Sequence, residues 1–288
     1  MKRIKTVIST GFFMAASLFS LQAAWAVEPG ESAATAYSIS IVPQFEQRKL
    51  YSTWKPIVDE LERRTGLRFN LITTLTIQDF HNAYARGEFD FVYVNPYHVM
   101  HFHDSQGYIP LVADKLPLRG IIVVRKDGPI NTPADLDGKT VAFPSPNALG
   151  ASLLVRSSLE QLHHVRVSPI YVKTHSSVYL HVAKGLAAAG GGVEKTLQEQ
   201  DESLQAQLRV IYTTRSCPSH PIAAHPRVSP EVRDKVRKAL FALGETAEGK
   251  KMLKEVPIEQ LIPVAYEDYA TMRNWGLEKY WQTIPQKD

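Results

Sequence analysis

The chain has 288 residues, 44% hydrophobic and 22% charged, an ordinary globular composition that excludes collagen, coiled coil and disordered tail. At about 150 residues per domain, that length suits two domains. The formal charge is +4; Lys2, Arg3 and Lys5 stand in the first 26 residues without an acid, and removing them leaves +1, which argues against a nucleic-acid partner.

Residues 1–26 read as a signal peptide. A basic start is followed by the apolar stretch Val7 to Leu21, and Ala24-Trp25-Ala26 supplies the small-x-small cleavage pattern. The apolar run is shorter than the ~20 residues of a spanning helix, and no cysteine lies near the cleavage point for lipid attachment. The chain is therefore expected to be exported to the periplasm. Cys217 is the sole cysteine, so no internal disulfide can form, and it is read as structural.

After a polar linker from Val27 to Thr35, strand and helix alternate. Tyr37, Ile39 and Ile41 predict a strand. Leu50, Trp54, Val58 and Leu61 recur at helical spacing up to Gly66, a suitable C-terminal cap. Leu67, Phe69 and Leu71 alternate again. Thr76 caps a helix carrying Ile77, Phe80 and Tyr84, closed by Gly87. Phe89 to Val94 is nearly continuous in apolar residues, as in a strand buried on both faces. This rhythm implies a parallel sheet flanked by helices.

The pattern restarts with strands at Ile121 to Arg125 and Thr140 to Phe143. A helix is expected from Leu149 to Leu162, a strand at Ile170 to Val172, a helix at Ser177 to Ala188 and a strand at Leu208 to Tyr212. Gly190-Gly191-Gly192 reads as a flexible turn. Ser229, Pro230 and Glu231 mark a firm helix start, and the last ~60 residues read as helical with no strand of their own. That tail must pack on an existing domain, most simply the first. The expected organisation is a lobe from 37–119 plus 218–288 and a second lobe from 120–217, with crossings near Leu116–Gly120 and Cys217–Pro221.

Catalytic motifs are missing. Gly138-Lys139-Thr140 resembles the end of a phosphate loop, but Pro133 replaces the glycine it requires, and no GxGxxG, GxSxG, HExxH or CxxC occurs. No enzyme activity and no cofactor are expected. His98, His101 and His103 cluster, yet only His98 and His101 can share a helical face and Asp104 is the one acid nearby, so they read as surface or pocket-rim histidines rather than a metal site.

The run Phe89-Asp90-Phe91-Val92-Tyr93-Val94-Asn95-Pro96-Tyr97-His98 resembles the phosphate/phosphite/phosphonate ABC transporter periplasmic substrate-binding proteins (the PhnD-like group). So do Ile121 to Asp127, Asp135-Leu136-Asp137-Gly138-Lys139-Thr140-Val141-Ala142-Phe143, His175, Pro221 to Pro226 and the closing Pro257 to Tyr269 segment. The resemblance runs from about residue 37 to 275. It implies an α/β fold of the type II periplasmic binding protein kind, two lobes with a hinge of two crossing segments, and a small ligand held between them. Ligand groups in such sheets follow strand C-terminal ends, which points to Tyr93, Asn95 and Tyr97, to Ser145 and Asn147, and to His175 and Ser177.

The resemblance also carries departures. Phosphonate binders of the group have a Ser-Thr-Ser-Gly run whose hydroxyls grip the oxyanion, where this chain reads Asn147-Ala148-Leu149-Gly150-Ala151-Ser152. The group's acidic residue beyond the histidine falls at Ala188. Weak phosphonate binding is expected, with a less charged ligand, a smaller anion or stacking on Tyr93 and Tyr97. The implied role is a monomeric solute-binding protein that delivers a phosphate- or phosphonate-like ligand to an ABC permease. A periplasmic sensor of the same fold, presenting its ligand to a membrane receptor kinase, is the alternative; an exported enzyme ranks below both.

Overall fold

The computed structural model describes residues 36–256 and 258–283; the expected signal peptide and linker lie outside them. Among the described residues the strands are β1 (Tyr37–Ile41), β2 (Phe69–Thr73), β3 (Phe91–Tyr93), β4 (Ile109–Asp114), β5 (Leu118–Arg125), β6 (Thr140–Phe143), β7 (Ser168–Tyr171), β8 (Ala189–Val193), β9 (Leu208–Cys217), β10 (Pro221–Ala224) and β11 (Leu261–Pro263). The helices are α1 (Gln47–Thr65), α2 (Ile77–Ala85), α3 (Pro96–His101), α4 (His103–Gln106), α5 (Val155–His163), α6 (His175–Ala183), α7 (Glu194–Gln198), α8 (Glu202–Gln205), α9 (Pro230–Glu245), α10 (Ala247–Lys254) and α11 (Tyr266–Ala270). No helix among them is long and apolar enough to cross a membrane.

The strands form two sheets, one six-stranded in the order β11-β4-β10-β3-β1-β2 and one five-stranded in the order β7-β6-β8-β5-β9. Both are mixed, where the sequence rhythm implied parallel pairing. β1 pairs in parallel with β2 and β3, but β10 and β11 run antiparallel to their neighbours. In the second sheet β5 runs antiparallel to both β8 and β9. The antiparallel members arise where the chain changes sheet, passing over residues 115–117 and returning over residues 218–220.

Local signals account for many boundaries. Leu50, Trp54, Ile57, Val58 and Leu61 bury one face of α1, and Gly66 ends it in the left-handed region at φ 66°. The Thr76 and Ser229 side chains cap α2 and α9 by accepting from Asp79 N and Val232 N.

Three expectations are corrected. Gly190–Gly192 is not a turn but the middle of β8, a central strand. A Cβ on Gly191 would sit 2.1 Å from Ala151 O and one on Gly190 2.5 Å from Val178 Cγ1, so close packing of neighbouring segments requires glycine there. The tail is not strandless, since β11 pairs with β4. Nor does it keep to the first sheet. Arg156 of α5 donates to Tyr280 O at 3.1 Å, and Lys279 pairs with Glu160 at 2.6 Å. The last described residues therefore form a strap from one lobe to the other.

The segment expected as one helix from Leu149 opens with a π-helical stretch, Leu149–Leu154, before α5. It is wholly buried. Ala148, Leu149 and Leu153 share a hydrophobic core with Val94 and Tyr97 of the six-stranded lobe, so apolar packing joins the two lobes behind the strand ends.

Candidate functional site

A cleft lies where strands of both sheets end. β3 finishes at Tyr93, β8 finishes at Val193, and β5 begins beside it because Gly120 pairs with Val193. Around these ends lies a chamber of about 330 Å³, within the ordinary range for small-ligand sites. Gln44, Tyr93, Ser219 and His220 line it from the six-stranded side, and Arg119, Val193, Glu194 and Lys195 from the five-stranded side.

The floor is aromatic. The Tyr93 ring stacks on His220 with centroids 5.3 Å apart and leans on Trp54 at 4.9 Å. Gln44 Nε2 donates to His220 Nε2 at 3.3 Å, which leaves the other ring nitrogen as the protonated one. Burial, with smaller contributions from His175 and Lys195, lowers the His220 pKa to about 3. Burial alone lowers His175 to about 4. Both imidazoles are neutral at pH 7.

Behind the chamber, Lys195 of α7 forms an ion pair with Asp114 at the end of β4. Asp114 is only 1% exposed, and it also accepts from Glu259 N and Gln260 N at 3.1 Å each. This pair ties the two lobes together at the crossing. Lys49 and Glu199, 3.6 Å apart, form a more exposed second tie.

The residues expected from strand ends separate into distinct places. Tyr93 lines the chamber. Asn95 and His175 border a smaller pocket beside it, about 20 Å³, shared with Gln44, Val193 and His220. Asn95 is the N-cap of α3 and also reaches across to donate to Asn147 O at 3.1 Å. His175 hydrogen-bonds through Nδ1 with Thr196 Oγ1 at 3.2 Å. Tyr97 lies elsewhere: it is fully buried, donates to Glu278 and packs on Trp281. Asn147 gives its side chain to the strap, donating to Gln282 O at 2.8 Å and accepting from Gln282 N at 2.9 Å. Ser177 accepts from Thr174 Oγ1 at 2.9 Å. Ser145 Oγ is buried without a partner among the described residues, while its carbonyl accepts from Ser152 Oγ at 2.5 Å.

His98 is not a rim histidine. It is 1% exposed, and its Nε2 is 3.1 Å from His81 Nδ1. Trp281 of the strap lies against His81, His98 and His101, while His103 stacks on Tyr266. Cys217 is buried, and burial pushes its thiol up to about 12, so it is inert as a nucleophile.

Sequence reasoning missed Gln44, Arg119, Glu194, Lys195, Ser219 and His220. Gln44 follows β1 by the same strand-end rule that selected Asn95, and a full application of the rule would have reached it. Glu194 and Lys195 were hidden because the glycine run before them does not look like a strand. Ala188, taken as the place of an acid, lies before the first residue of β8, while Glu194 follows its last residue at the chamber end.

Two α/β lobes joined by crossing segments, with a chamber at the strand ends between them, define a two-lobed binding protein of the type II periplasmic kind. Its fold matches a binding protein component of an ABC phosphonate transporter from Pseudomonas aeruginosa with a TM-score of 0.77 at 16% identity, covering 85% of this chain and 86% of the other. It also matches PhnD1 from Prochlorococcus marinus in complex with methylphosphonate, again with a TM-score of 0.77, at 13% identity over 85% and 98% of the two chains. The family model described as ABC transporter, phosphonate, periplasmic substrate-binding protein matches residues 39–269, and the chain belongs to this family. Curated relatives include the phosphate-import protein PhnD of Mycolicibacterium smegmatis, 23% identical over 71% of this chain and 70% of that protein. Another is the phosphonates-binding periplasmic protein of Escherichia coli, 22% identical over 83% and 75%.

Proposed function

We propose that this chain is an exported, periplasmic solute-binding protein that captures one small ligand between its lobes and delivers it, as a monomer, to an ABC permease. The observation that carries this reading is the chamber itself. Its walls are divided between the ends of two sheets, so a ligand that touches both walls stabilises the closed arrangement over an open one. The lobes built on the six-stranded and the five-stranded sheet would move against each other, with residues 115–117 and 218–220 as the hinge. Family membership supports the transport role. Membership of a family of substrate-binding transport proteins also supports the non-catalytic reading.

The test is a thermal-unfolding screen of the purified protein against phosphate, phosphite, methylphosphonate, 2-aminoethylphosphonate, sulfate, small organic acids and amino acids. A ligand at 100 times its Kd adds about 2.7 kcal/mol, or about 5–10 °C for a chain of this size. A shift of that order with one class supports capture. Turnover of the stabilising compound would instead make the cleft an active site.

A further inference from the structure

The start of the helical segment after β6, where an open α/β sheet usually offers backbone N–H groups to an anion, is filled in this protein. Ala148, Leu149 and Ala151 are buried in the core that joins the lobes, with Leu149 1% exposed. The pocket left beside them holds about 20 Å³, room for one water and not for a five-atom tetrahedral group. Its polar borders are the Gln44 amide, which donates to His220, the Asn95 amide, already spent on Tyr97 N and Asn147 O, and two neutral imidazoles.

The room lies next door, in the 330 Å³ chamber. β5 and β8 are antiparallel, with Gly120 opposite Val193 and Ile121 opposite Gly192. Arg119 and Glu194 each adjoin that terminal pair, Arg119 preceding Gly120 in β5 and Glu194 following Val193 as the first residue of α7. Both are exposed and line the chamber, and neither forms an ion pair among the described residues. A guanidinium and a carboxylate thus line the chamber from the five-stranded side without joining each other, in a cavity whose opposite wall carries the Tyr93–His220 stack.

We propose that the ligand of this chamber is a small amino-carboxylate zwitterion of the amino-acid type, with its carboxylate on Arg119, its ammonium on Glu194 and its body over Tyr93 and His220. This rests on the solute-binding reading above. The planar guanidinium matches a carboxylate in a two-bond fork, while Glu194 accepts from an ammonium. Around the chamber the cations Arg119 and Lys195 are balanced by Glu194 and by Asp114 behind Lys195. A zwitterion leaves that balance intact. A phosphate or phosphonate dianion would bring two uncompensated charges toward two carboxylates, with no hydroxyl cluster to receive them.

The experiment is a thermal-shift screen of the purified protein with the twenty α-amino acids and γ-aminobutyrate, beside inorganic phosphate, phosphite, methylphosphonate and 2-aminoethylphosphonate, with calorimetric titration of each hit. The expected result is an amino-carboxylate hit whose affinity falls at least tenfold in Arg119→Gln and in Glu194→Gln and is partly kept in Arg119→Lys, all variants unfolding near the parent temperature. An amino-carboxylate hit indifferent to both substitutions overturns the proposal. So does tighter binding of a phosphorus oxyanion, which leaves the solute-binding reading standing. Silence in every arm overturns the proposal, and the solute-binding reading falls with it only if sulfate and small organic acids are silent as well.

Discussion

Replacing Lys195 by Met isolates the tie between the lobes. The substitution keeps the length of the side chain and removes its charge, so Asp114 is left 1% exposed with only its two backbone donors, Glu259 N and Gln260 N. Removing one partner of a fully buried ion pair costs about 3–5 kcal/mol, whereas exposed pairs are worth about 0–1 kcal/mol. Lys195 is 22% exposed, which puts the loss near 2 kcal/mol, or about 30-fold in an equilibrium. Lys195 sits on α7 of the five-stranded lobe and Asp114 on β4 of the six-stranded lobe, so the ion pair that is lost runs between the lobes. The cost falls on closure. Small-angle scattering should therefore show a larger radius of gyration for Lys195→Met than for the parent, with far-ultraviolet circular dichroism unchanged, and Lys195→Arg should stay close to the parent. A scattering curve identical to the parent's would refute the reasoning, as would loss of secondary structure.

Acid should weaken the fold through its buried histidines. His175 and His220 drop from 6.5 to about 4 and about 3 in the folded chain, so the unfolded chain binds their protons first. Their contribution is complete above about pH 6.5 and is lost as pH falls toward 4, by about 2 kcal/mol for each at pH 5; urea midpoints at pH 7.5 and pH 5 measure it, and equal midpoints would contradict it. Gly191→Ala would place a methyl 2.1 Å from Ala151 O and should cost about 1–3 kcal/mol by overpacking, read as a lower melting temperature; an unchanged one would mean that β8 has room to spare. Trp281→Ala empties the contact of the strap with His81, His98 and His101. For a half-buried indole this should cost about 2 kcal/mol and speed exchange of amides in α3, so unchanged exchange would count against the strap as a structural tie.

The fold was legible where one residue pattern suffices to define an element. The apolar stripe of α1, the Thr76 and Ser229 caps and the Gly66 stop are local signals, and each element forms as its sequence reads. β8 was illegible because glycine is unfavourable in strands, and the reason for it here is the approach of Ala151, Val178 and Tyr179 from other parts of the chain. β10 and β11 carry too few residues for alternation to show and are specified by their partner β4. Strand ends led to one lining residue of the candidate chamber, Tyr93. Tyr97 misleads because its hydroxyl partner, Glu278, lies 181 residues away on the strap. Arg119 and Glu194 come to one chamber only through the pairing of β5 with β8, which no local pattern announces.

Closure on a ligand is the central claim, and a distance between the lobes tests it most directly. Spin labels at Leu75 of the six-stranded lobe and Leu186 of the five-stranded lobe, 77% and 61% exposed, would report the lobe-to-lobe distance by pulsed electron resonance, with Cys217 buried away from the label. Addition of the compound that raises the melting temperature is predicted to shift a broad distance distribution to a single narrower one. A saturating ligand that leaves the distribution unchanged would contradict capture by closure between the lobes.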